Sequence, residues 1–452
     1  MLIGDKARRS PLRSYQSYIR RLQILTNEGA LSSREAQVAD ALNGEPTAEL
    51  HRVVSLATRR RYGAYFTGST LSDRLVGRSA FLKRQPVFYD PSCGMGDLLL
   101  AAAKTLPLAD RLGQTLTLWS RLLAGNDIHP EFIEGTKLRL VLLAACLHRT
   151  AEIPSNPVDA FFPHISVGDG LVGQDAFEKA TTLLMNPPFG LVPAPSNCGW
   201  AAGRVSEAAT FLVNALERVR PQTEVLAILP DVLRSGSFSK RWRGRVSDLA
   251  EVHLIESFGV FDKSADVDVF ILRLVRRDKL SPERRAADKR KSAERKRWPT
   301  QPKPEGETVS DCFDVHIGRI VPHRDKELGP AYPYIHARSA PRWTVMREFS
   351  ETRRSERQAF KPPFLVVRRT SRPDQPHRAV ATIIAGRRPV TVENHLIVCE
   401  PKDKRLKTCR DLMKQLRTET VNNFLNQRIR CRHLTVSAVG AIPFETRSNC
   451  EE

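Results

Sequence analysis

Apolar positions along the 452 residues change their spacing in a definite order. Through Tyr15, Tyr18, Ile19, Leu22 and Leu25, and again through Leu50, Val53, Val54 and Ala57, they recur at helical spacing, which predicts an N-terminal helical segment over 1–60. From Val87 onward, short continuous apolar runs alternate with helical stretches. The runs fall at Val87–Asp90, Leu122–Gly125, Ile165–Val167, Thr181–Met185, Glu224–Pro230, Val252–Ile255 and Val267–Val275. A strand apolar at every position is buried on both faces, as in a parallel sheet covered by crossover helices. Helices are expected over Leu71–Phe81, from Leu98 through Ala102, over Glu131–His148 and over Glu207–Val219. The fold class is therefore α/β: a doubly wound, mostly parallel seven-stranded sheet occupying residues 61–275.

At Arg276 the pattern disappears. The run to Arg297 carries eleven Lys and Arg against four Asp and Glu with no apolar stripe, and reads as a basic linker over 276–308. It is either a phosphate-binding arm or a solvated charged segment. Residues 309–452 form a C-terminal α+β region, with strand-like runs at Phe364–Val367, Ala379–Ile384 and His395–Val398 and a helix over Leu406–Ile429. Arg368, Arg369, Arg372, Arg387 and Arg388 lie in its connections.

Candidate chemistry gathers where the strands end. The first run finishes at Asp90 and passes through Pro91-Ser92-Cys93-Gly94-Met95-Gly96 into a helix. Glycines there let a backbone approach a ligand at a helix N terminus. The third glycine of a dinucleotide fingerprint is absent, and no P-loop Lys follows, so the Gly-x-Gly is either a plain turn or a loop for a ligand without a pyrophosphate. The second run delivers Asp127 and Ile128; the carboxylate can accept from both ribose hydroxyls, or it caps the helix that begins near Pro130. The third delivers Asp169 and Gly170. The fourth ends in Asn186-Pro187-Pro188-Phe189, where two prolines stop the ladder and hold a rigid corner. That corner is either a plain strand-ending turn or a grip for a planar amino group, with an amide oxygen and a carbonyl as acceptors and a ring for stacking. Upstream, Arg61–Thr70 is rich in aromatics and glycines, and Ser69 or Thr70 would cap the following helix. After the tip, 191–204 lacks periodicity and reads as a mobile loop.

Charge bears on the partner. Lys and Arg number 71 against 50 Asp and Glu, a net +21, and a chain this basic expects a polyanion. The eight cysteines form no Cys-x-x-Cys pair and have no accompanying His cluster, so neither a metal site nor a disulfide framework is expected, and a reducing cytoplasm fits best. The most continuous apolar run, Leu138–Leu147, is too short to span a bilayer, and no signal-peptide core is seen. No membrane partner is expected.

Taken in order, the Asp90–Gly96 loop, Asp127, Asp169 and Asn186–Phe189 resemble the motifs of S-adenosylmethionine-dependent N6-adenine DNA methyltransferases, similar to type I modification subunits and stand-alone type II restriction-modification enzymes. Tyr65-Phe66-Thr67 resembles the family's amino-terminal cofactor motif, with Gly68 where that motif usually carries proline. The resemblance covers 61–275. It implies a methyltransferase sheet, S-adenosylmethionine as cofactor, and cofactor binding by Phe66, Thr67, Asp90, Ser92, Gly94, Gly96, Asp127, Ile128, Asp169 and Gly170. Catalysis falls to Asn186, Pro187, Pro188 and Phe189. It further implies duplex DNA as substrate, base flipping, and a C-terminal target-recognition region. Within Phe258-Gly259-Val260-Phe261, an aromatic either joins the base pocket or packs in the core. A specificity, restriction or defence-complex subunit is a candidate partner. The alternatives are methylation of RNA or of a protein glutamine, and a DNA-binding module with an inactive methyltransferase fold.

Overall fold

Strand residues in the N-terminal part of the chain alternate between two cores. Leu184, Leu226, Ile228, Val269 and Ile271 face one, while Leu183, Met185, Val225, Ala227, Leu229, Phe270 and Leu272 face the other. Successive side chains of a strand point to opposite faces, so both faces of the sheet must be covered. On the first face lie the helices Asp97–Ala103, Leu112–Leu122 and Pro130–His148, and on the second Glu207–Arg218 and Lys240–Leu249.

The structure, a computed structural model, describes residues 12–27, 34–84, 86–150, 158–196, 198–261, 267–278, 298 and 304–444. It divides into two units, Met1–Leu233 with Lys240–Pro299, and Arg234–Ser239 with Thr300–Glu452.

In the first unit the strands are β1 (Phe88–Asp90), β2 (Leu123–Asp127), β3 (Ile165–Val167), β4 (Thr182–Met185), the short β5 (Leu191–Pro193) and β6 (Arg204–Ser206), β7 (Glu224–Pro230), β8 (Ala250–Val260) and β9 (Asp268–Arg276). The large sheet runs β3-β2-β1-β4-β7-β9-β8. All its pairings are parallel except those of β9 with β7 and β8. This is the doubly wound, mostly parallel seven-stranded sheet expected from the spacing, and its strand order reverses between β1 and β4, where such sheets bind ligands. Among the described residues, no helix is long and apolar enough to cross a membrane.

Local readings need four corrections. The periodicity over Leu50–Ala57 is not one helix: Glu45–Val53 stops, and Ser55 accepts from Thr58 N at 3.2 Å to start Leu56–Tyr62. The next helix spans Ser69–Val76 and ends at Gly77; its N-cap is Gly68, so neither Ser69 nor Thr70 caps it. The segment after the Asn-Pro-Pro-Phe corner is a hairpin, with β5 paired antiparallel to β6 through Val192 and Val205. Leu406–Ile429 is two helices, Leu406–Leu416 and Glu419–Arg428, because Thr418 turns its hydroxyl onto Val421 N and caps the second.

The second unit holds β10 (Phe313–Ile317), β11 (Ala331–Ile335), β12 (Val345–Met346), β13 (Thr352–Arg354), β14 (Phe364–Arg368), β15 (Ala381–Ile384), β16 (Thr391–Val392) and β17 (Leu396–Pro401). A five-stranded sheet runs β10-β17-β14-β15-β12, beside a smaller β13-β11-β16. Of the basic run, Arg276 closes β9 and is buried, while 279–297 lies outside the described residues.

Candidate active site

β4 lies between β1 and β7, wholly buried, and Asn186 is the first residue beyond its end. Asn186 Nδ2 donates to Thr67 Oγ1 at 2.9 Å. The amide is thereby oriented with its oxygen unused, and no hydrogen bond from the described residues reaches the Pro187 carbonyl. Two acceptors therefore stand free on one rigid corner. Pro188 rests against Gly63, where a Cβ would come within 2.5 Å of Pro188 Cβ, so the upstream aromatic segment needs glycine to close on the corner. Phe189 is half-buried, and its ring meets Phe261 edge-on at 5.3 Å between centroids. Phe258 lies under the Arg74 guanidinium instead, 5.6 Å from ring centroid to charge.

Beside the corner opens a cleft of about 350 Å³. Of the residues singled out by sequence, Asn186, Pro188, Phe66, Ser92, Gly94, Asp127, Ile128, Asp169 and Gly170 line it. Pro187, Phe189, Thr67, Asp90 and Gly96 do not; Thr67 touches it only through Asn186. Asp127 accepts from Gly94 N at 3.0 Å and His129 N at 2.9 Å, so its carboxylate ties the glycine loop to the second strand tip. Burial pushes its carboxyl up, and His129 and the N–H groups of His129, Gly94 and Ile128 pull it back. Asp90 sits beneath the floor, accepting from Ser92 N at 3.0 Å. Burial pushes it up to about 8, Ser92 N–H opposing and Asp127 and Asp97 adding to the rise. Asp169 takes Leu171 N at 2.9 Å, and the Gly170 carbonyl takes Tyr89 Oη at 2.8 Å.

Both glycines of the Gly-x-Gly turn have positive φ, +52° at Gly94 and +80° at Gly96, but they serve different neighbours. A Cβ on Gly94 would press within 3.2 Å of the Phe66 ring. One on Gly96 would meet Thr136 Cγ2 at 2.6 Å, so this glycine is required by helix packing. Just beyond it, Asp97 accepts from Gly68 N at 2.7 Å and pairs with Arg139 at 2.9 Å. Arg139, 0% exposed, also donates to the carbonyls of Met95, Ala41 and Leu42. One buried guanidinium thus joins the N-terminal helices, the glycine loop and the Phe66–Gly68 segment.

Several wall residues were not foreseen. Tyr62, His129 and Phe132 form an aromatic wall continuous with Phe66, with edge contacts of 5.0 to 6.1 Å. Leu171, Phe211 and Glu207 also line the cleft, the last with its carboxyl raised by burial. Tyr65 and His129 lay in or beside stretches the sequence had singled out. Phe211 and Glu207 belong to a helix that shows only amphipathic spacing. Three residues of the wall carry a buried polar atom without a partner: His129 Nε2, Tyr65 Oη and Ser92 Oγ. Buried polar groups are normally satisfied, so the cleft holds unmet capacity for a polar ligand.

No protein-family profile matches the sequence, and no curated protein matches it. Among solved structures, the chain is similar to a class I S-adenosylmethionine-dependent methyltransferase from Listeria monocytogenes described as putative, at 14% identity over 59% of this chain and 90% of that one, with a TM-score of 0.33. It is similar to the modification subunit of a type I restriction enzyme from Vibrio vulnificus, also described as putative, at 16% identity over 52% of this chain, with a TM-score of 0.34, and spans 50% of that subunit's length. It is also similar to the type IIL restriction-modification enzyme MmeI, solved in complex with DNA, at 12% identity over 88% of this chain and 67% of that one, with a TM-score of 0.46. The order β3-β2-β1-β4-β7-β9-β8, with β9 alone reversed, gives this chain a Rossmann-like, doubly wound fold.

Proposed function

We propose that the chain is a DNA methyltransferase of the restriction-modification kind, transferring a methyl group from S-adenosylmethionine to the exocyclic N6 of adenine in duplex DNA. The observation that carries this reading is the Asn186 corner, where Thr67 holds Nδ2 and leaves the Asn186 oxygen and the Pro187 carbonyl, on adjacent residues, without a donor among the described residues. A planar amino group has two hydrogens to give such a pair.

The cleft fits the cofactor. Asp127 stands where ribose hydroxyls can be accepted, Ile128 and Phe211 offer apolar faces for a purine, and Asp169 and the orphaned His129, Tyr65 and Ser92 atoms supply polar contacts. When bound, S-adenosylmethionine supplies an electrophilic methyl group. The protein's part is to make a poor nucleophile competent. The adenine amino lone pair is delocalised into the ring, and hydrogen bonds to Asn186 Oδ1 and Pro187 O favour a pyramidal nitrogen aligned for attack. The positive charge that develops on that nitrogen is stabilised by the two oxygen dipoles and relieved when one of its hydrogens leaves to water as a proton, the sulfonium having departed as a neutral thioether. The amino group is buried in a duplex, so the base must leave the stack; Phe189, braced by Phe261, offers it a ring. The net charge of +21 supports a polyanionic substrate.

The test is transfer of labelled methyl to duplex DNA, RNA and a glutamine-bearing protein, with base analysis of the product. Label as N6-methyladenine in duplex DNA, reduced about 100-fold by Asn186→Ala, is expected, since one preorganised dipole at a reacting centre contributes about that much. Label confined to RNA or protein, or unaffected by Asn186→Ala, overturns the reading.

A further inference from the structure

Five arginines in the connections of the C-terminal region look alike in sequence. In the folded second unit they differ. Arg368 donates to the Ala340 carbonyl at 2.8 Å, Arg369 to the Asn394 carbonyl at 3.4 Å, and Arg372 forms a two-pronged pair with Asp374 at 2.6 and 3.0 Å. All three lie at or beyond the C-terminal end of β14. Arg387 and Arg388 occupy the turn after β15, at the opposite end of the same antiparallel pair, and no hydrogen bond or ion pair from the described residues engages their side chains.

Two further cations flank that turn. Ala385 N donates to Met346 O at 2.8 Å, and the Arg347 carbonyl lies 3.8 Å from where a Gly386 Cβ would stand, which sets Arg347 alongside. Val390 and Phe360 exchange backbone hydrogen bonds of 2.9 Å each, which sets Lys361 on the other side. Arg347, Lys361, Arg387 and Arg388 are all exposed, and none has a side-chain partner among the described residues. Over 345–349, 358–363 and 385–390 the only acidic residue is Glu348. Arg319 adds a fifth cation, laid 4.1 Å over the Phe360 ring. Unpaired like charges gathered on one turn repel one another, and a polyanion relieves that repulsion.

We propose that this end of the five-stranded sheet, the turn 386–389 with Arg347 and Lys361 beside it, holds the phosphate backbone of duplex DNA, while Arg372, neutralised by Asp374, does not. The proposal rests on the DNA-methyltransferase reading for its choice of polyanion. Each phosphate contact releases condensed counterions and adds about 0.9 to the slope of log affinity against log salt.

The experiment uses the full chain and a fluorescent duplex, with binding measured by anisotropy across a salt series. The variant R347A/K361A/R387A/R388A is expected to flatten the slope by about 3 to 4, and R387Q/R388Q by about 2, while Arg372→Ala keeps the wild-type slope. The double variant carries the test if the quadruple variant melts lower than wild type. A quadruple or double variant with the wild-type slope overturns the proposal, as does wild-type preference for single-stranded RNA over the duplex. Methyl transfer by the wild type at low salt is scored separately. Its absence sinks the enzymatic reading alone, and an unchanged slope sinks the docking face alone.

Discussion

Asp90 is a carboxyl group that burial keeps largely protonated at neutral pH, and replacing it by asparagine exposes the consequence. It is 1% exposed, has Ser92 N as its hydrogen-bond donor, and is pushed up to about 8 by burial. In an unfolded chain an aspartate titrates near 3.9. The folded value is the higher one, so the contribution of Asp90 to stability is complete below about pH 4 and is lost as pH rises toward 8. Each pH unit within that window costs about 1.4 kcal/mol, so the rise from pH 5.5 to 7.5 costs about 3 kcal/mol. Asp90→Asn keeps the shape and an oxygen for Ser92 N but cannot ionise. Urea unfolding followed by tryptophan fluorescence suits the measurement, because four of the five tryptophans, Trp119, Trp200, Trp242 and Trp298, belong to the first unit. The stability of the variant minus that of wild type is expected to grow by about 3 kcal/mol between pH 5.5 and 7.5. A difference constant with pH would show that Asp90 does not titrate there, and the reading of a neutral acid under the cleft floor would be wrong.

Two further substitutions test how the corner is held. Thr67→Val removes the oxygen that fixes Asn186 Nδ2, so the amide can rotate; methyl-transfer kcat should fall about 10-fold while cofactor Kd by calorimetry stays within about 2-fold, and a change in Kd alone would contradict this. Arg139→Leu strands Asp97 and three carbonyls in the interior, and should lower stability by about 3–5 kcal/mol in thermal or urea unfolding; a loss under 1 kcal/mol would mean water replaces the guanidinium.

The sheet was legible because its strands are short, continuous and apolar, and because a parallel sheet puts every strand's carboxyl end on one edge. Reading the end of each run therefore located Asp90, Asp127, Asp169 and Asn186 without knowledge of the turns between. Spacing failed where a local side chain interrupts it. Ser55 and Thr418 each divide a continuous apolar period into two helices by accepting a backbone N–H, and the unpatterned stretch after Phe189 pairs through Val192 and Val205. Spacing also cannot say which way a tip residue is used. Asp90 and Gly96 sit in the motif, yet one is buried under the floor and the other makes room for Thr136.

What remained hidden shares one physical cause: it depends on which groups are already taken. Thr67 matters because its hydroxyl occupies one end of the Asn186 amide and so orients the other. His129 matters because its backbone N–H is spent on Asp127 while its ring Nε2 is not spent at all. The same distinction separates Arg372, neutralised by Asp374, from Arg387 and Arg388, which face solvent with nothing opposite. A sequence records the kind of group at each position. Its capacity to bind something further is what folding leaves over, and at the corner that remainder is two oxygens on adjacent residues to which no described residue donates.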